Sequence, residues 1–306
     1  MHWPSHRVTD MTHDHITTLR VGEIVAGYRI DGMLGSGGVG QVYKARDTVR
    51  QRTVAIKLVD PLRQPPRELV REARLAASLD HPSICAIYGL DYLHGEPFLV
   101  MEHVKGIPLS KLIRARRSLS ATTALDFARQ IASAVGHAHD RGVVHGDLKS
   151  SNVMVGPDGH VTILDFGLAV RRDGGDGGGE CDSTRLSPST SVAGTVPYMA
   201  PEIIRGQPAS VQSDVWALGV LLFEMIVGRR PFAGSTPYEM ASNILVNQRI
   251  RVESLVQGPI REVVDRCLST DPAGRYPSVH ELAAVLRLLR RRQRPARVEN
   301  HDGVSV

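Results

Sequence analysis

The segment His145-Gly146-Asp147-Leu148-Lys149-Ser150-Ser151-Asn152 constrains this chain more than any other, because two short β-type runs and then Asp165-Phe166-Gly167 follow it. Val153-Met154-Val155 and Val161-Thr162-Ile163-Leu164 flank Pro157-Asp158-Gly159, a turn sequence between apolar runs, so they are expected to fold back as a hairpin. Such a hairpin brings Asn152 and Asp165 together at its ends. Asp147 and Lys149 sit just before it. One short stretch thus gathers an amide, two carboxylates and an ammonium, a set suited to chemistry on a charged substrate.

Other segments fall in order around this one. Upstream, Gly35-Ser36-Gly37-Gly38-Val39-Gly40 leads into Gln41-Val42-Tyr43-Lys44, and Val54-Ala55-Ile56-Lys57 follows. A Gly-x-Gly-x-x-Gly opening a helix would suggest a dinucleotide fold, but here a second strand-like run follows instead. The glycines suit a strand-turn-strand flap whose backbone can approach phosphates closely. Lys57 ends an otherwise apolar strand, where an unpaired ammonium would cost several kcal/mol, roughly, in lost hydration, so an anionic partner is required. Residues 68–79 show helical spacing, with Leu69, Ala73, Ala76 and Leu79 on one face and Asp80-His81-Pro82 ending it. Glu72 and Glu68 are both candidate partners on that helix. Strand-like runs are expected at residues 84–90 and 97–101, before Gly106-Ile107-Pro108 breaks the pattern. From Ser120, a candidate cap, the residues Leu125, Ala128, Ile131, Ala132, Val135 and Ala138 recur at helical spacing. Ala200-Pro201-Glu202 completes the ordered set downstream.

Taken together, these motifs resemble the Ser/Thr protein kinases of the eukaryotic type, bacterial members included, over residues 28–289. The resemblance implies an α+β bilobal fold: a small antiparallel-sheet lobe with one main helix, and a larger, mainly helical lobe. The expected division is a polar N-terminal extension (1–27), a small lobe (28–104), a large lobe (105–289) and a basic tail (290–306). It further implies ATP as substrate, Mg²⁺ or its substitute Mn²⁺ as cofactor, and proteins with Ser or Thr acceptors as partners. Asp147 is then the base that accepts the hydroxyl proton, and Lys149 neutralises charge on the transferring phosphoryl group. Lys57 contacts the α- and β-phosphates and pairs with Glu72, which stands at the family's distance before His81-Pro82. Asn152 and Asp165 hold the metal, whose preference for hard oxygen ligands they meet. Gly35, Gly37 and Gly40 cover the phosphates. Met101 is the gatekeeper, Glu102 and Val104 offer backbone hydrogen bonds to adenine, and Val42, Ala55 and Met154 enclose its ring. Lys149 and Gly194-Thr195 resemble Ser/Thr rather than Tyr kinases, with Thr195 against Asp147 and Lys149. Glu202 and Arg275 are expected as a buried ion pair, and Asp214 as a brace of the catalytic loop.

One position departs from the family. Gly146 stands where an arginine usually precedes the catalytic aspartate, and that arginine ordinarily receives a phosphorylated activation-loop residue. A kinase of the non-Arg-Asp type is therefore expected, with loop phosphorylation dispensable and autophosphorylation still open. The loop carries Ser183, Thr184, Ser187, Ser189, Thr190 and Ser191 after a glycine run, and Arg171 and Arg172 are substitute phosphate receptors.

Composition narrows the alternatives. The 306 residues, 42% of them hydrophobic, suffice for two cores. The apolar run at residues 215–227 is too short for a bilayer and contains Glu224, so a core helix is expected rather than a membrane span. No secretory-type segment opens the chain, which implies a cytoplasmic setting. Cys85, Cys181 and Cys267 form neither a disulfide framework nor a zinc pattern, and Cys181, in a glycine-rich segment, is an incidental loop cysteine or a reactive thiol. The net charge of +5 comes from Arg287, Arg290, Arg291, Arg292, Arg294 and Arg297, read as a solvated helix end; without interleaved aromatics, no nucleic-acid partner is expected. A nucleotide-binding pseudokinase scaffold is the competing function, opposed by the intact Lys57, Glu72, Asp147, Asn152 and Asp165. A small-molecule phosphotransferase is opposed by Ala200-Pro201-Glu202. The oligomeric state is left open.

Overall fold

The computed structural model describes residues 18–37, 40–62, 64–165, 170–171, 192–249, 256 and 258–293. The activation-loop hydroxyl residues, Arg172, Cys181, Phe166 and Gly167 lie outside them.

The chain opens with β1 (Ile24–Val25), β2 (Tyr28–Ser36), β3 (Gly40–Asp47) and β4 (Thr53–Val59), then α1 (Pro66–Ala77), β5 (Ile87–Leu93) and β6 (Glu96–Glu102). The strands form one antiparallel sheet in the order β1-β2-β3-β4-β6-β5. Its two-residue period sorts the side chains. On β4, Val54, Ile56 and Leu58 join Ile30, Tyr43, Phe98 and Val100 in one core. Ala55 turns the other way and packs with Leu69 and Ala73 of α1 and with Leu99 and Met101 of β6. Lys57, two residues on, shares the face of Ala55.

The chain then enters β7 (Ile107–Pro108), α2 (Leu109–Arg116), α3 (Ala121–His139) and β8 (Val143–Val144). A 3₁₀ turn at Ser150–Asn152 leads into β9 (Val153–Val155) and β10 (Val161–Ile163), followed by β11 (Val170–Arg171) and α4 (Val192–Thr195). The helices α5 (Pro201–Ile204), α6 (Val211–Val227), α7 (Pro237–Leu245), α8 (Pro259–Cys267) and α9 (Val279–Arg292) complete it. The Ser120 hydroxyl caps α3 by accepting from Thr123 N–H, and all six apolar positions expected along that helix are buried. In α6 a reciprocal Ser210–Ser213 capping box starts the helix, and burial is nearly continuous to Met225. An apolar run with no polar face is what such a central helix requires. No helix among the described residues is long and apolar enough to cross a membrane.

Several boundaries differ from expectation for physical reasons. The sheet begins before Tyr28, because Ala26-Gly27 closes a tight hairpin that adds β1 and buries Val25. Helix α1 starts at Pro66 rather than Glu68, since proline fits the first helical turn, where its missing N–H is not needed. The strand expected from Ile84 begins at Ile87: Cys85 N–H donates to Ile163 O and Ile163 N–H to Ser83 O, which commits residues 83–85 to β10 of the large lobe. The tail boundary placed after Leu289 falls inside α9. Arg290 pairs with Asp126 of α3 at 2.8 Å, so it is not a solvated end.

Candidate active site

Helix α1 buries Leu69, Glu72, Ala73 and Ala76, a stripe at three- and four-residue spacing turned toward β4. This places a carboxylate opposite the one cation on that strand face. Lys57 Nζ donates to Glu72 Oε1 at 3.3 Å, while the other carboxylate oxygen accepts from Gln64 Nε2 at 2.8 Å. Glu68 has no such role. Gln64, in the loop before α1, had no signal in the sequence, because a lone loop glutamine carries no periodicity.

Lys57 Nζ also donates to Asp165 Oδ1 at 2.9 Å. Burial pulls the Lys57 pKa down, but the Asp165 and Glu72 carboxylates outweigh it, and the ammonium is held above its ordinary value. For Asp165, burial pushes upward; the Lys57 charge and hydrogen bond, with smaller help from His145 and Lys149, hold it below the usual carboxylate value. Asp165 adopts a left-handed backbone (φ +50°), an unfavourable conformation for a non-glycine residue and one typical of functional sites.

The hairpin of β9 and β10 is antiparallel with Val153 opposite Ile163, and Leu164 N–H donates to Asn152 O at 2.7 Å. Asn152 and Asp165 therefore emerge side by side at its open end. Asn152 Nδ2 donates to the Asp147 carbonyl (3.0 Å) and to Asp147 Oδ2 (3.2 Å), so its amide oxygen points away from Asp147. Lys149 Nζ bridges Asp147 Oδ2 (2.7 Å) and Thr195 Oγ1 (2.9 Å). One oxygen of Asp147 is thus held twice. The other, Oδ1, is buried without a hydrogen-bond partner among the described residues. A buried acceptor left empty is costly unless something else fills it.

Asp214 of α6 ties this loop to the large-lobe core. Its carboxylate accepts from the backbone N–H groups of His145 (2.9 Å) and Gly146 (3.0 Å), and His139 Nε2 lies 2.8 Å from Oδ2. The His139 contact went unanticipated, its partner being far away in sequence. Gly146 sits at φ +74°, where a residue without Cβ is unstrained. Glu202 and Arg275 form the expected buried pair, with both guanidinium Nη atoms donating to the carboxylate at 2.6 and 2.8 Å.

At the other rim, Gly37 and Gly40 exchange backbone hydrogen bonds of 2.9 and 3.3 Å. A Cβ at Gly40 would lie 2.0 Å from Leu58 O, so glycine is demanded there by the neighbouring strand. At Gly35 and Gly37 an added Cβ meets nothing within 4 Å, and their backbone borders open space. Ala55 and Met101 are buried with Leu69 and Leu99, and Val42, Val104 and Leu164 pack against them. Glu102 N–H is already engaged by Ala86 O, and the Glu102 carbonyl receives the Cys85 thiol at 3.7 Å. Val104 N–H has no partner among the described residues. Met154 is half-buried on β9 and stands outside this cluster.

The donor set suits a divalent cation shared with phosphate oxygens: the Asp165 carboxylate and the Asn152 amide oxygen. No group of three or more His, Cys, Asp or Glu side chains among the described residues could hold a metal alone. Mg²⁺ is a cation that can bind through one or two protein oxygens and complete its shell with phosphates and water.

The family model described as protein kinase domain matches residues 28–285. The chain is 34% identical to Serine/threonine-protein kinase PrkC of Bacillus subtilis, over 87% of this chain and 41% of that protein. It is equally 34% identical to Serine/threonine-protein kinase PknA of Mycobacterium tuberculosis, over 91% of this chain and 65% of the relative. The alignments thus span less than two thirds of either relative's length. The matched residues run from the first long strand of the sheet into the last helix of the large lobe, and the chain belongs to the protein kinase domain family.

Proposed function

We propose that this chain transfers the γ-phosphoryl group of ATP to Ser or Thr hydroxyls of proteins, with Mg²⁺ as cofactor. The observation that carries the proposal is the asymmetry of Asp147: Oδ2 is pinned by Lys149 and Asn152, whereas Oδ1 is buried and unfilled. A substrate hydroxyl brought to Oδ1 would supply the hydrogen bond that this oxygen lacks. Its proton passes to Asp147 Oδ1 as its oxygen bonds to the γ-phosphorus, and the bond to the bridging oxygen breaks to release ADP. Lys149 stays beside the reacting group and offsets its charge, while Thr195 fixes the direction of that ammonium. Lys57 orients the α- and β-phosphates, and Glu72, locked by Gln64, fixes Lys57. A divalent cation held by Asn152 and Asp165 would supply charge neutralisation at the phosphates.

The finer proposal concerns control. Gly146 presents no side chain to a phosphorylated loop residue, so catalysis does not require one, and autophosphorylation of the hydroxyl cluster is a by-product. Replacing Ser183, Thr184, Ser187, Ser189, Thr190 and Ser191 together by alanine is expected to leave the initial rate on an external substrate within about tenfold; a fall of roughly 10³-fold or more, the size of a lost catalytic group, would contradict this. A cytoplasmic setting belongs to the same proposal, in keeping with the free thiols of Cys85 and Cys267.

The test of the activity is incubation with labelled ATP, Mg²⁺ and a generic basic protein. Label on Ser or Thr that disappears in Asp165→Ala is the expected outcome. Nucleotide binding without transfer would favour a scaffold instead.

A further inference from the structure

One end of the large lobe gathers arginines from helices that are far apart in sequence. Helices α2 and α6 finish side by side: Leu119 N–H donates to Met225 O at 2.7 Å, and both helices close on a left-handed residue, Arg117 at φ +63° and Gly228 at φ +78°. The two caps touch so closely that a Cβ at Gly228 would overlap Arg117 O. Helix α9 finishes at the same end. Its Arg290 pairs with Asp126 at 2.8 Å, and Thr122 Oγ1 donates to Gln293 Oε1 at 3.3 Å, both contacts falling on the first turns of α3.

The charge carried to this end has one sign. Helix α2 brings Arg114, Arg116 and Arg117, the turn after α6 brings Arg229, and the last turn of α9 brings Arg291 and Arg292. All of these are exposed, and none forms an ion pair with a described residue. No aspartate or glutamate occurs in residues 103–125, 225–238 or 282–293, and Asp126, next to the first of these segments, is taken by Arg290. Cations at helix ends offset the helix dipoles, but a C-terminus carries only about half a negative charge, so three of them answer roughly 1.5 of the positive charges. Most of the arginine charge is left for a partner.

Two features choose that partner. No aromatic side chain stands among these arginines to stack on a base. Leu288, 58% exposed, lies three and four residues before Arg291 and Arg292 and so shares their face of α9. An apolar side chain flanked by arginines is the arrangement of an interfacial helix, in which the apolar group enters the acyl boundary and the guanidinium groups stay with the headgroups.

We infer that this end of the large lobe binds the surface of an anionic lipid bilayer. The placement leaves the reaction centre free. Helix α3 runs for 19 residues, about 28 Å at the helical rise, from this end to His139, which lies 2.8 Å from the Asp214 carboxylate that holds the catalytic loop. A molecule seated on a membrane in this way keeps its cleft open to other proteins, and the binding does not depend on the activity proposed above.

The experiment sediments the protein with vesicles of phosphatidylcholine, alone or with phosphatidylserine as about one third of the lipid, at about 0.1 M salt, where charges are screened over about 10 Å. The mixed vesicles are expected to retain the protein and the pure ones to leave it in solution. Raising the salt to about 1 M, which shortens the screening length to about 3 Å, is expected to release it. The double variants Arg114→Glu/Arg116→Glu and Arg291→Glu/Arg292→Glu are each expected to weaken binding at least tenfold, and Leu288→Ser less, with melting temperatures retained. The same charge change on the exposed face of α1, Arg71→Glu/Arg74→Glu, is expected to leave binding unchanged. The proposal is overturned if the mixed vesicles retain no protein, if pure phosphatidylcholine retains as much, or if neither large-lobe variant weakens binding. It is equally overturned if the α1 variant weakens binding as much as they do, which would make net charge the cause, or if double-stranded DNA at equal phosphate concentration strips the protein from the vesicles, which would make the surface one for nucleic acid.

Discussion

Among the described residues two cations are buried against carboxylates, Lys57 in the small lobe and Arg275 in the large one, and they are built to opposite standards. Arg275 makes four hydrogen bonds with its five N–H groups. It donates twice to Glu202, and also to Gln212 O (2.8 Å) and Ser269 O (2.9 Å), with its guanidinium 5.0 Å over the Trp216 ring. Lys57 divides a single ammonium between two carboxylates, one of which, Asp165, is 35% exposed and holds an unfavourable backbone conformation. A network whose donors are nearly all engaged has little to offer a ligand and serves as a girder. One with a shared ammonium and a partly exposed carboxylate leaves both groups able to exchange partners, as the proposed activity requires.

The comparison breaks most visibly if the two cations are removed in turn. Arg275→Met strands Glu202 in the core, and uncompensated buried charges of this kind cost about 3–5 kcal/mol, so the urea midpoint is expected to fall steeply. Lys57→Met strands less, because Glu72 keeps Gln64 and Asp165 reaches solvent. Its midpoint is expected to move little, while phosphoryl transfer falls by roughly 10²–10³-fold, the size of a lost electrostatic group at a reaction centre. Equal destabilisation by both substitutions would contradict the distinction.

A smaller effect sharpens the comparison at the seam between the two regions. His81 Nδ1 accepts from Ser83 N–H at 3.0 Å, so the neutral ring carries its proton on Nε2 and donates it to Ser133 of α3 at 3.1 Å. The His137 ring centroid is 5.2 Å away, and His160 Nε2 donates to Pro82 O at 2.9 Å. Burial lowers the pKa of His81, helped by repulsion from His137 and His160 and opposed by Asp80. Burial and Arg141 lower that of His137, opposed by Asp140 and Asp80. With both folded values below the ordinary 6.5, the unfolded chain binds more protons in that range. The neutral rings thus stabilise the fold fully above that value, and the contribution declines as pH falls through it. Stability is expected to drop between about pH 7 and pH 5, and to drop less in the His81→Gln/His137→Gln double variant. Parallel slopes would remove the histidines from the seam.

Legibility followed the distance between partners. Asp147, Lys149, Asn152 and Asp165 lie in one short stretch, and a hairpin turn sufficed to predict that they converge. Lys57 was legible as a cation on an apolar strand that needs an anion, but the choice of Glu72 over Glu68 came from the family resemblance, because helical spacing alone left both carboxylates open. Asp214 was anticipated only through family resemblance, and His139 against it not at all, because that contact is decided by how α3 and α6 pack. The cross-strand obstacle at Gly40 was equally hidden, since it belongs to Leu58 of the next strand rather than to the glycine run.

The most direct measurement is single-turnover transfer from labelled ATP by wild-type and Asp147→Asn protein, with nucleotide affinity measured on the same samples. With Oδ1 as the proton acceptor, the variant should bind nucleotide as the wild type does and transfer roughly 10²–10⁴-fold more slowly, the usual worth of a positioned base. Equal transfer rates in the two proteins would contradict the account at its centre.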